Sequence, residues 1–201
     1  MHKPAITQVP INETLANRWS GRAYDVAKSV SHAQIVALLE AARWAPSCYG
    51  DQPWRFIVWD KNTDAQAWQQ GFDCLVPGNQ AWVKDASVLL LTCADTLFNH
   101  NQKPNRWAQY DTGAAAENLC LQASSMGLMA HQMGGFDADK ARETFAIPVQ
   151  YIPMAMVSIG YAADITTLEG EVLTRETAAR SRRPLNELFF ANAKLLSFFL
   201  S

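Results

Sequence analysis

The chain lacks the residue patterns that announce the commonest metal, redox and hydrolytic sites. Its four cysteines, Cys48, Cys74, Cys93 and Cys120, are scattered, with no Cys-x-x-Cys pair and no histidine at ligand spacing. That pattern argues against a metal site or a disulfide framework and favours reduced, buried thiols. No Gly-x-Gly-x-x-Gly follows the first predicted strand, so a Rossmann dinucleotide site is not supported. No Gly-x-Ser-x-Gly elbow is present either, which removes the usual serine hydrolase arrangement. Net charge is only −2 and the pI about 6.1, so no basic bulk draws the chain to nucleic acid. No apolar run approaches the length of a membrane span, and MHKPAITQVPINETL lacks a signal-peptide core. A soluble cytoplasmic protein without a membrane partner is the expectation.

What the chain does hold is apolar material. Hydrophobic residues make up 49% and charged residues 18% of 201 positions, enough for one large core and a single domain over 1–201. Seven Trp and nine Phe exceed what packing strictly needs, so some can face a planar ligand or a second subunit.

Local signals mark the elements. Residues 12–20 predict a short helix. The capping box Ser31-x-x-Gln34 opens an amphipathic helix with Ile35, Leu38, Leu39 and Ala42 on one face, and Ala45-Pro46 ends it. WRFIVWD alternates as a strand does. Residues 63–73 are polar enough for a surface helix, followed by a turn at Pro77-Gly78-Asn79. ASVLLLTCAD reads as a buried central strand. Residues 97–105 form a polar connection, and 111–127 predict a long small-residue helix ending at Gly127. A strand then runs from 128 into Gly134-Gly135, Asp137 caps a helix, and PMAMVSIGYA is a further strand. From about 164 onward the chain is a polar, arginine-rich arm with an apolar tail that can dock on another subunit or on its own domain. The order is not a clean βαβ series, and an α+β sheet flanked by helices fits it best.

Four segments could carry chemistry. Arg18-Trp19-Ser20-Gly21-Arg22 sets two guanidinium groups around a hydroxyl, which suits a phosphate and equally a solvated surface pair. Arg180-Ser181-Arg182-Arg183 has the same ambiguity, and the two clusters could converge on one anion. Gly134-Gly135 can make a turn or let main-chain N–H groups approach a ligand. In RWAPSCYGDQPWR, Cys48 is a weak candidate nucleophile, because no local base accompanies it and His131 is distant.

Taken in order, RWSGR, APSCYGDQPWRFIV, Gly78-Asn79, MGLMAHQMGGF and RSRRPL resemble the FMN-dependent nitroreductase family over residues 15–188. The resemblance implies a nitroreductase-like α+β fold with a mostly antiparallel central sheet and a C-terminal arm exchanged in a dimer. It implies FMN as cofactor, with NADH or NADPH as hydride donor. Arg18, Trp19, Ser20 and Arg22 would hold the phosphate and ribityl chain and line the flavin, and Arg180 and Arg182 would return to the phosphate. Asn79 would contact the ring system, and the main chain of Gly134 or Gly135 would reach flavin N5. Pro46, Ser47, Cys48, Gly50 and Gln52 would form a wall lent by the partner subunit, with Gly50 standing where the family has Asn and Asp51 able to supply the missing contact. No protein side chain is then catalytic, and no metal is needed, since the flavin carries the redox step. The implied activity is ping-pong reduction of nitroaromatic, quinone or related small acceptors. Flavin storage or sensing without turnover, or flavin reduction, ene-reduction or dehalogenation on the same scaffold, are the alternatives. Residues 96–110 are short where many members insert a helical lid.

Overall fold

The computed structural model describes residues 3–191 and 196–197, with side chains through 189. The chain runs through α1 (Glu13–Asn17), α2 (His32–Arg43), β1 (Trp54–Asp60), α3 (Ala65–Phe72), α4 (Pro77–Val83), β2 (Val88–Asp95), α5 (Ala108–Ser125), β3 (Met129–Met133), α6 (Ala138–Thr144) and β4 (Tyr151–Gly160). The arm follows with α7 (Gly170–Thr177) and a short strand pair, β5 (Phe190–Ala191) with β6 (Leu196–Ser197). The apolar tail expected to dock on a second subunit lies largely outside the described residues.

The main sheet has the order β1-β2-β4-β3, antiparallel throughout. β2 is buried along its whole length, because both sheet faces are covered. Val88 and Leu90 point into a core with α2 and α5, while Leu89 and Leu91 point into a second core with Trp59, Trp68, Met129 and Met156. That two-sided burial is why its sequence reads as an unbroken apolar run rather than an alternation. β4 carries Pro153, which cannot donate to a ladder. The register shifts between Thr92 and Cys93, and the Thr92 hydroxyl accepts from Ala155 N (3.2 Å) and donates to Ala155 O (3.0 Å).

α2 begins at the expected capping box, with both reciprocal bonds formed between Ser31 and Gln34. α5 starts three residues earlier than predicted, after Asn105, whose side chain accepts from Trp107 N (3.0 Å). Its buried stripe of Ala115, Leu119 and Ala123 is slim enough for α2 to lie alongside. Gly127 adopts φ +71° just past the helix, the left-handed closure that glycine accepts without strain.

Three local expectations change. Pro77-Gly78-Asn79 is the first turn of α4, since proline at N1 costs no hydrogen bond and resembles a turn in sequence. The polar segment 63–73 buries Trp68 and packs Gly71 so tightly that a Cβ would lie 2.7 Å from the Trp59 ring. The arm is partly helical: α7 docks through Glu176, a buried acid that no apolar pattern reveals.

Candidate functional site

The Arg18–Arg22 segment leaves α1 and crosses beside β3. Arg18 Nη1 donates to Ser20 Oγ at 3.2 Å, and its Nε lies 3.5 Å from Glu117 Oε1 on α5. Burial raises the Glu117 pKa against the opposing pull of Arg18. Trp19 lies under the Lys3 ammonium, 4.5 Å from the ring centroid, and borders a small cavity of about 160 Å³ together with Arg18 and Met129. Gly21 has no room for a side chain: a Cβ would overlap Met129 Sδ and sit 2.9 Å from the Trp19 ring. Arg22 is exposed, with its guanidinium 5.7 Å from the Trp82 ring.

The second arginine cluster meets the first. Arg180 donates to Lys3 O (2.8 Å), Ala16 O (2.7 Å) and Arg18 O (2.8 Å), fastening the arm across the start of the chain. Arg18, Arg180 and Arg182 line one cavity of about 540 Å³, walled by the 5–9 segment and by Leu15. Arg182 is exposed there, and its Nη1 reaches only the Ser181 carbonyl among described partners. Burial, then the like charges of Arg18 and Arg182, lower the Arg180 pKa.

At the far end of β3, Gly134 has open space where a Cβ would stand, whereas Gly135 is closed off by Asn79, whose Nδ2 would lie 2.7 Å from such an atom. Asn79 Nδ2 donates to Gly135 O at 2.9 Å, so the predicted ring contact and the glycine pair are joined. On α4, one turn after Asn79, Trp82 lies 4.6 Å from the ring of His131, a β3 residue whose Nδ1 bonds Gly21 O at 2.9 Å. Burial lowers the His131 pKa, keeping the ring neutral.

The Pro46–Gln52 loop stands apart. Gln52 N donates to Ser47 Oγ (3.0 Å), and Cys48 N donates to Asp111 Oδ2 (3.0 Å) at the start of α5. Tyr49, Gly50 and Gln52 have φ of +57°, +65° and +52°. Asp51 turns away from open solvent: its Oδ1 accepts from Asn99 N at 2.9 Å, and its Oδ2 is buried without a partner. Among the described residues no hydrogen bond or ion pair connects this loop directly to Arg18, Asn79 or Gly134. Pro46, Tyr49, Gly50 and Gln52 are exposed, the state a loop reaching toward another chain requires.

Sequence reasoning missed Asp111, Glu117, Glu176 and the anchoring role of His131. Asp111 and Glu117 are the two acids of an otherwise small and neutral helix, which was a usable signal. Glu176, in a polar arm, offered none. No cluster of side chains able to hold a metal ion is found among the described residues, and no helix among them is long and apolar enough to cross a membrane.

Comparison with known proteins is consistent with this geometry. The Nitroreductase family model matches residues 15–161. A putative NADH dehydrogenase/NAD(P)H nitroreductase of Methanothermobacter thermautotrophicus is 29% identical over 163 residues, covering 79% of this chain and 81% of that protein. The crystal structure of an oxidoreductase containing FMN superposes with a TM-score of 0.84 at 34% identity, covering 92% and 93% of the two chains. A putative nitroreductase in complex with FMN from Desulfovibrio desulfuricans gives 0.71 at 26% identity, covering 92% and 98%. With its antiparallel sheet, its joined arginine clusters and a family match over most of its length, the chain belongs to the Nitroreductase family.

Proposed function

We propose that the protein is a single-domain FMN-dependent NAD(P)H oxidoreductase, acting in the cytoplasm as a homodimer on nitroaromatic, quinone or related small acceptors. The observation that carries this reading is the meeting of Arg18, Arg180 and Arg182 at one cavity. Burial, and after it the like charges of Arg18 and Arg182, lower the Arg180 pKa, and a phosphate group would offset the repulsion among these cations. The relatives point to the cofactor: one structural neighbour is an oxidoreductase containing FMN and another a putative nitroreductase in complex with FMN.

The residues present fit the group. Arg18 and Ser20 would hold the phosphate and ribityl chain, with Arg182 closing from the arm and Arg180 keeping the arm in place. Arg22 is exposed, with its guanidinium 5.7 Å from the ring of Trp82, which shares α4 with Asn79. Asn79 fixes the Gly135 carbonyl, and Gly134 leaves the main chain open to a ring approaching from solvent. Pro46, Ser47, Cys48, Gly50 and Gln52 would come from the partner to complete the wall. When bound, FMN would supply two-electron redox chemistry between NADH or NADPH and the acceptor, the basis of the ping-pong sequence proposed here. The protein's own share is orientation, water exclusion and charge, which explains why no acid–base pair stands in the site.

Purified protein should be yellow and should release close to one FMN per chain on denaturation. Anaerobic NADH or NADPH should bleach the flavin, and a nitroaromatic or quinone should restore it. Protein that stays colourless and takes up no FMN defeats the reading. Bleaching without recovery by any acceptor would leave a flavin store in its place.

A further inference from the structure

Two buried ionisable side chains that the proposed chemistry does not use meet at a single peptide unit. His131 Nδ1 lies 2.9 Å from Gly21 O, and since a carbonyl can only accept, Nδ1 carries the proton. Arg22 N donates to Glu176 Oε1 at 2.9 Å. The carbonyl and the N–H of the Gly21–Arg22 peptide are therefore gripped from opposite ends, by β3 on one side and α7 on the other. Gly21 leaves no room for a side chain: a Cβ there would overlap Met129 Sδ and lie 2.9 Å from the Trp19 ring and 3.0 Å from Glu176 Oε2.

Neither side chain is placed there cheaply. Glu176 is 3% exposed, and burial raises its pKa against the pull of its main-chain bonds and of Lys3 and Arg22. The net upward shift means that the main-chain bonds and nearby cations together do not fully offset the desolvation of the carboxylate. What the arrangement secures is orientation: Arg18 and Ser20 precede this peptide and Arg22 follows it. The same His131 ring rests on Trp82, whose helix carries Asn79 and through it the Gly135 carbonyl.

We propose that His131 and Glu176 are positioning residues which lock the Gly21–Arg22 peptide and so hold Arg18, Ser20 and Arg22 ready for the phosphate and ribityl chain of FMN. This rests on the functional reading above. It adds that cofactor retention depends on the docking of the arm, because Glu176 belongs to α7.

The test uses the full chain and pairs each disruptive change with a conservative one. His131→Phe keeps a ring on Trp82 but loses the donor, while His131→Asn keeps a donor where Nδ1 stood. Glu176→Met loses the acceptor, and Glu176→Gln keeps it. The expected result is FMN affinity about tenfold weaker in the Phe and Met variants, with the Asn and Gln variants within about threefold of the parent. The Phe/Met double variant should be little worse than either single one, since a peptide released at one end is already free. FMN affinity within about twofold of the parent in the Phe and Met variants overturns the proposal. So do independent, multiplicative losses, or losses that follow the thermal midpoint of the apoprotein without rescue by Asn and Gln. Hydrogen exchange at the Arg22 amide of the FMN-free parent provides a readout needing neither flavin nor a folded variant. A protected amide supports the clamp, and exchange at the rate of an exposed loop overturns it. A parent chain with a protected Arg22 amide that binds no FMN refutes the functional reading and the cofactor role together while leaving the clamp intact.

Discussion

Cys48 and Arg18 separate the two ways a residue could matter in this site. Cys48 is half-buried with its N–H committed to Asp111, and no base stands beside it among the described contacts. Cys93 and Cys120 are pushed by burial to about 11 and about 12, so neither offers a thiolate at neutral pH. Replacing Cys48 by Ala should leave anaerobic flavin reduction essentially unchanged. Arg18→Ala removes a charge-assisted donor and should weaken FMN binding by about 10- to 100-fold, the equivalent of about 1.5–3 kcal/mol. Anaerobic bleaching by NADH or NADPH checks the first, and fluorescence titration of the apoprotein with FMN checks the second. Gly50 is explained at the same scale. Its φ of +65° lies in the left-handed region, which glycine and asparagine enter more easily than other residues. Gly50 thus preserves the loop's path where the resembling family has Asn, and gives up only the amide. Within the chain, the Asp51 carboxylate already accepts from Asn99 N through Oδ1. His131 supplies a pH signature. Burial holds its folded pKa below the free value of 6.5 against the opposing pull of its bond to the Gly21 carbonyl. The charges of Arg22 and Arg18 add to the shift, and Glu176 faces the same peptide. Above 6.5 neither state binds the proton and stability is full. As the pH falls below 6.5 the unfolded chain protonates first, and stability is lost until the folded histidine protonates as well. Glu176 acts oppositely, since its raised pKa means that its burden on the folded state lifts as the pH falls toward 4.5. Urea midpoints of the apoprotein between pH 8 and about 5 should show the His131 slope, and His131→Phe should flatten it.

At the scale of elements, α5 links the two halves of the site: Asp111 in its first turn holds the Pro46–Gln52 loop, and Glu117 two turns later meets Arg18. Asp111→Ala should leave Cys48 N without its partner, lower stability by about 1–3 kcal/mol in urea unfolding, and open the 46–52 loop to protease. An unchanged cleavage pattern would mean that the loop is held by its own turns. The elements also show what local sequence encodes. WRFIVWD and the Ser31–Gln34 box were legible because alternation and capping are short-range signals. The continuous apolar run of β2 was legible because burial on both faces erases alternation. Pro77 was misread because proline at a helix start and proline in a turn look alike, and α7 because its only buried residue is an acid. The arginine, asparagine and glycine positions of the proposed site were read from their order along the chain. Their supports, His131 on Gly21 and Glu176 on Arg22, span 110 and 154 positions, and no local pattern encodes such pairings.

For the whole molecule, the exposed aromatics matter most. Trp44 at the end of α2 is 72% exposed and Tyr110 in the first turn of α5 is 77% exposed, with Trp107 and Val36 also open on these helices. Large exposed rings on helices that flank the Pro46–Gln52 loop suit a subunit interface. Sedimentation should therefore show a dimer at micromolar concentration, and Tyr110→Arg should shift it toward monomer and release FMN in parallel. A monomeric variant that keeps its flavin would place the complete site within one chain.

Arg180 also constrains when the molecule can assemble. Its guanidinium joins carbonyls 177, 164 and 162 positions earlier in the chain, at Lys3, Ala16 and Arg18. Contacts of such sequence separation close late, because their loop entropy is recovered only after the intervening sheet has formed. During synthesis the Arg18–Arg22 segment emerges early, yet it stays without Arg180, Arg182 and Glu176 until nearly the whole chain has followed. On the proposed reading, in which these arginines hold the FMN phosphate, capture of the cofactor should be deferred to the end of folding, and a chain truncated before Arg180 should bind FMN weakly.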